Sequence, residues 1–188
     1  SAATTRWRWV RSPASPGMGD RILHLEAGHE APVVERLLER DLRGTYTLTG
    51  ASGAREVGIR GIADRIDLLA DGTLRVIDYK TGQPPDLTRA LQLPIYAVCA
   101  EQALAGYRGH DWQVGAAAYV AFGSSKTYVP VITGAAGREA ALASGQARFL
   151  ETIGRIGRGE FPPQPAESRL CKTCAFAAVC RKDVSDED

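Results

Sequence analysis

Apolar residues recur at helical spacing from about Gly19 to Leu42, at Ile22, Leu25, Val33, Val34, Leu37, Leu38 and Leu42. Such spacing predicts an amphipathic helix, kinked at Pro32 or restarted there as a second helix. The pattern then shortens to that of strands. Thr45 to Thr49 reads as a short strand, and Arg55 to Leu69 and Thr73 to Lys80 as two longer ones. Ala70-Asp71-Gly72 lies between the last two, and Asp-Gly is a strong hairpin signal. A helix follows from Asp86 or Leu87 to Leu104, with Pro94 tolerable only near its start or at a kink. Trp112 to Phe122 and Thr127 to Ile132 form a second predicted hairpin, and Arg138 to Arg158 a third helix. Residues 1–18 read as an irregular lead-in, 19–158 as the core of a single domain and 159–188 as a Cys-rich tail.

Composition adds a proper interior and little else: of 188 residues, 44% are apolar and 24% charged, with a net charge of +1. A near-neutral chain announces no nucleic-acid binder by charge alone, so binding DNA requires a local basic groove or a partner that holds it. No apolar run approaches a membrane span, and the start at Ser1 shows no signal-peptide core. A cytoplasmic location is the default. The missing initiator Met suggests a processed chain or a piece of something longer.

The chemistry concentrates in Val76-Ile77-Asp78-Tyr79-Lys80-Thr81-Gly82 and in Gly61-Ile62-Ala63-Asp64 upstream. Asp78 and Lys80 alternate onto one face of a strand. Asp64 lies seven residues before Asp71 and Asp78 seven after it, so a hairpin turning there sets the two acids opposite one another. Two carboxylates can hold a divalent cation against a phosphodiester, and a nearby lysine can position water or stabilise the charge that develops. Asp67, three positions from Asp64, falls on the other face and suits an ion pair with Arg65 or Arg75, or a backbone-capping role.

These runs, with Gln92-Leu-Pro-Ile-Tyr96, resemble successive motifs of the PD-(D/E)XK nuclease superfamily, most closely its RecB/AddB-type exonuclease branch. The resemblance implies an α/β, restriction-endonuclease-like core with a mixed central sheet flanked by helices. It implies Asp64 and Asp78 as ligands of Mg²⁺ or Mn²⁺ together with the carbonyl of Tyr79, and Lys80 as the catalytic lysine. Gln92 and Tyr96 would line the site from the following helix. A helical histidine is the family's further metal ligand; His29 is the expectation, His24 the alternative, and His110 reads as a loop residue.

Cys171, Cys174 and Cys180 form Cys-x₂-Cys-x₅-Cys, which three thiolates could close around one metal centre; zinc or three inert thiols are the alternatives. The pattern resembles the iron–sulfur segment of AddB-type nucleases, which implies a 4Fe–4S cluster whose fourth cysteine lies far upstream. No cysteine precedes Cys99, so that ligand is expected before Ser1, with Cys99 or a degenerate cluster as alternatives. Arg6, Trp7, Arg8, Trp9 and Arg11 suit base stacking and phosphate contact, or a plain boundary segment. Lys126, Arg89, Arg148, Arg155 and Arg158 are candidates to line a groove. No phosphate-binding Gly-x₄-Gly-Lys loop occurs, so ATP-driven unwinding would belong to a helicase domain or subunit. The resulting expectation is a metal-dependent DNA exonuclease module acting on ends or single strands in repair, recombination or defence. A non-catalytic nuclease-fold module that binds DNA or a partner is the alternative, and a restriction-type endonuclease a weaker one.

Overall fold

The computed structural model describes residues 17–28, 31–50, 53–163, 165 and 168–180. The elements run α1 (Met18–Ala27), β1 (Val33–Gly50), β2 (Gly53–Leu69), β3 (Thr73–Lys80), α2 (Gln92–Ala103), β4 (Gln113–Ala121), β5 (Tyr128–Thr133) and α3 (Gly134–Gly157). One mixed sheet in the order β1-β2-β3-β4-β5 holds all five strands, antiparallel except for the parallel pair β3 and β4. The α2 crossover makes that parallel pair possible. This α/β plan, a mixed sheet flanked by helices, is the restriction-endonuclease-like architecture expected of the chain.

The hairpin at Asp71-Gly72 is present: Gly72 adopts φ of 83°, and its N–H donates to the Leu69 carbonyl at 3.1 Å. Asp71 accepts from the Thr73 N–H and hydroxyl, at 2.9 and 2.8 Å, which secures the start of β3. The second predicted hairpin also forms, as β4 and β5. α2 begins later than expected, at Gln92. Asp86 and Thr88 instead close a side-chain turn, the Asp86 carboxylate accepting from the Thr88 N–H at 2.9 Å. Pro94 falls in the first turn of α2, where its missing N–H costs nothing.

The predicted helix over 19–42 is half wrong. Only Met18–Ala27 is helical, and Val33 onward is strand. Val33, Glu35 and Leu37 are half-buried while Val34, Arg36 and Leu38 are exposed, a period of two. Paired apolar residues at 33/34 and 37/38 satisfy a helical template equally well. Pairing with β2 along the whole of β1 decides it.

The interior lies between the sheet and α2 with α3, filled by Leu42, Ile66, Leu74, Val76, Leu93 and Ile132. The opposite face carries buried charge. Asp67 is fully buried and accepts from Arg36 Nε (2.7 Å), Arg65 Nη2 (2.5 Å) and Arg75 Nη2 (2.5 Å). Arg65 also pairs with Glu26 of α1 at 2.7 Å, which ties that helix to this face. Burial works to raise the Asp67 carboxyl, but hydrogen bonds from Arg65, Arg36 and Arg75 prevail and hold it at about 2. The ordinary value is 3.8, so its ionisation stabilises the fold fully above about pH 4, and that contribution disappears as pH falls towards 2. The expected contribution is about 2 kcal/mol. Urea midpoints measured from pH 6 to pH 2 should show that loss in the native chain. Asp67→Asn should lack it, and should be less stable at pH 7 by about 3–5 kcal/mol because it leaves buried guanidiniums unpaired.

Candidate active site

The regular pairing of β2 with β3 runs from Leu68↔Leu74 to Arg65↔Ile77, and the next position in that register is Asp64 opposite Asp78. There the backbone ladder gives way to a side chain. The Tyr79 N–H donates to Asp64 Oδ2 at 2.8 Å, so Asp64 occupies the place of a strand carbonyl. The acids therefore meet where the two strands cease to pair.

Asp78 is 3% exposed and sits at the centre of a small network. Gln92, the first residue of α2, donates Nε2 to Asp78 Oδ1 at 2.6 Å and accepts from Lys80 Nζ at 3.2 Å. Lys80 Nζ also lies 2.6 Å from Asp78 Oδ2, an ionic contact that leaves this buried oxygen without a well-directed hydrogen bond. Burial pushes the Asp78 carboxyl above its ordinary value; the Lys80 ammonium pulls it back, and the Asp64 charge adds to the rise.

These residues fit a divalent cation. The Asp64 charge adds to the rise of the Asp78 carboxyl, and the buried Asp78 Oδ2 meets the Lys80 ammonium without a directed hydrogen bond, an oxygen that a cation could take over. Among the described residues no three His, Cys, Asp or Glu side chains converge, so Asp64 and Asp78 are the two side chains here that would hold a cation. His29 lies outside the described residues, and His24 is exposed on α1.

Tyr96 follows Gln92 by one helical turn and faces the same way. Its ring lies on Gly61: a Cβ added there would come within 2.6 Å of the Tyr96 hydroxyl. The glycine three residues before Asp64 thus admits the aromatic ring. Tyr119 of β4, which the sequence reading did not single out, lies beneath the site. Its register partner across the parallel pair is Asp78, and Lys80 Nζ stands 5.6 Å from its ring centroid. Burial, and then the Asp78 charge, push the Tyr119 hydroxyl up to about 12. Nothing in the local pattern around Tyr119 marks it, because its role depends on β4 lying beside β3.

Other candidates separate from the site. Asp67 is the ion-pair partner of Arg65 and Arg75, on the opposite face, as its spacing from Asp64 implied. Arg148 donates to the Thr88 and Ala90 carbonyls, at 3.2 and 2.8 Å, and so anchors the segment before α2. Arg158 pairs with Glu160. His110 is an exposed loop residue near the Trp112 ring, and residues 6–11 lie outside the described residues. Cys171 is half-buried, and Cys174 and Cys180 are exposed. These three thiols do not gather into a ligand set, so the expected iron–sulfur centre finds no formed site among the described residues. Cys99 is no substitute, being fully buried against Gly44 in the core.

The profile of the PD-(D/E)XK nuclease superfamily matches residues 5–181. The chain belongs to the PD-(D/E)XK nuclease superfamily. Membership implies a metal-dependent nuclease. A solved structure described as "Crystal structure of SSO0001" is similar at 17% identity and a TM-score of 0.42, over 87% of this chain and 69% of that one. No curated protein matches the chain. Among the described residues no helix is long and apolar enough to cross a membrane.

The Gly61–Tyr96 contact is open to direct test. Gly61→Ala should lower stability by about 1–3 kcal/mol through overpacking. Adding Tyr96→Leu should restore part of that loss in thermal denaturation.

Proposed function

We propose that this superfamily member is a divalent-metal-dependent DNA exonuclease of RecB/AddB type, acting on ends or single strands. The observation that carries the reading is the meeting of Asp64, Asp78, Lys80 and Gln92 at the point where β2 and β3 stop pairing. In this proposal Asp64, Asp78 and the Tyr79 carbonyl hold Mg²⁺ or Mn²⁺, with His29 as a further ligand. A cation so held supplies Lewis-acid polarisation of the phosphate and an acidified water.

The chain's own side chains do the rest. Lys80 presents an ammonium to the non-bridging phosphate oxygens, where negative charge grows as the phosphodiester is attacked. Gln92 holds Lys80 and Asp78 in one arrangement, which keeps the ammonium from swinging away when substrate enters. The Tyr119 ring supports the ammonium from below, and Tyr96 offers an aromatic edge to the substrate beside Asp64. A helicase domain or subunit, where one is present, would deliver the strand. The cysteine segment takes no part in these steps.

Lys80→Ala should reduce cleavage by about 100-fold or more. Asp78→Asn should abolish it, and both variants should melt near the native chain in a thermal scan. Native-like cleavage by either variant with Mn²⁺ would overturn the site. Plasmid substrates test the exonuclease reading: linear DNA should disappear while closed circles persist, and nicking of the circles would favour an endonuclease.

A further inference from the structure

Two loops leave the same end of the parallel pair immediately beyond Lys80, and the site above does not use them. The Phe122 N–H donates to the Lys80 carbonyl at 2.9 Å, and the Gly123 N–H donates to the Gly82 carbonyl at 3.0 Å. The Gln83 side-chain amide donates to the Gly123 carbonyl. The contact admits only glycine at position 123, since a Cβ there would lie 2.8 Å from the Gly82 carbonyl carbon. The loop after β4 is thereby fastened to the loop after the Asp78–Lys80 strand. It turns at once, with the Lys126 N–H donating to Ser124 Oγ at 3.2 Å, and rejoins the sheet where the Ala121 N–H meets the Thr127 carbonyl at 2.8 Å.

The composition of this pair of loops is one-sided. Thr81 to Pro85 and Phe122 to Thr127 contain no acidic residue and hold hydroxyls, an amide and Lys126. Thr81, Gly82, Gln83 and Lys126 are exposed, and among the described residues no carboxylate pairs with Lys126. Arg148 and Arg158 differ, each held by protein acceptors. Ligands of open α/β sheets bind beyond the carboxyl ends of parallel strands, which is where these loops lie.

We propose that the paired loops Thr81–Gln83 and Gly123–Lys126 form a second phosphate subsite, in which Lys126 holds a backbone phosphate of the strand being cut. This rests on the nuclease reading of the neighbouring site. Lys80 pairs with Ala121, whose N–H meets the Thr127 carbonyl, so the backbone next to Lys126 lies about two strand spacings, roughly 10 Å, from that of Lys80.

The test is fluorescence anisotropy of a labelled oligonucleotide with Ca²⁺ in place of Mg²⁺, over a range of salt, alongside steady-state cleavage with Mg²⁺. Lys126→Gln should lower the slope of log K against log salt by about 0.7–0.9. It should also raise KM several-fold while kcat stays unchanged. Lys126→Glu should weaken binding further, Lys126→Arg should restore it, and all three should melt like the native chain. A native chain that cuts DNA while Lys126→Gln and Lys126→Glu match it in slope and KM overturns the subsite alone. A native chain that binds with the Lys126-dependent slope but never cuts overturns the nuclease reading and retains the subsite. A native chain that binds no DNA overturns both.

Discussion

A single buried carboxylate, Asp67, holds together the parts on which the site stands. Its three guanidinium partners come from β1 (Arg36), β2 (Arg65) and β3 (Arg75), and Glu26 joins α1 to the same group. Buried ion networks are a poor source of net stability, because desolvation offsets much of the attraction. Their effect on register is stronger. A slip by one residue would send Asp67 into the apolar interior and strand the arginines against solvent or hydrocarbon. The network therefore specifies the one alignment in which Asp64 comes opposite Asp78.

From that alignment the site follows by a short series of local substitutions. Asp64 takes the Tyr79 N–H in place of a strand carbonyl, so the sheet parts just where the acids stand. Asp78 is buried, which raises its carboxyl, while the Lys80 ammonium and the Gln92 amide beside it offset part of that rise. Arg65 reaches the rear of the same strand, donating to the Tyr79 hydroxyl at 3.0 Å, while Tyr79 stacks on Phe122. The Asp-x-Lys segment is thus braced from both faces: Gln92 and Tyr119 in front, Arg65 and Phe122 behind. Rigid placement of this kind is what a charge-stabilising site requires, since a lysine free to wander gives little at the moment of reaction.

The strands around the site were legible because their signals are local. Asp71-Gly72 sets a two-stranded turn, and equal spacing of Asp64 and Asp78 from it sets their pairing. The Gln92/Tyr96 interval is one helical turn. Asp67 could be assigned to the far face from its odd offset to Asp64. Reading failed where the deciding partner is distant. Val33 to Leu42 carries apolar pairs that suit either period, and β2 makes it a strand. Asp86 to Leu91 could extend a helix, but the Asp86 turn onto Thr88 and the Arg148 donors from α3 hold it otherwise.

By itself, the sequence determined the hairpin, the facing of two acids and a lysine, and the helix that answers them, because each depends on spacing along a few residues. Tertiary structure alone decided that β4 lies parallel to β3 and brings Tyr119 beneath Lys80. It also decided that Arg36 and Glu26 complete the charge network, that Gly61 receives the Tyr96 ring, and that Gly123 fastens a second loop beside the site. Among the described residues the three tail thiols form no metal-holding group, although their spacing had suggested a common metal. Contacts between segments far apart in the chain are set by how the whole interior packs, and no local period records them.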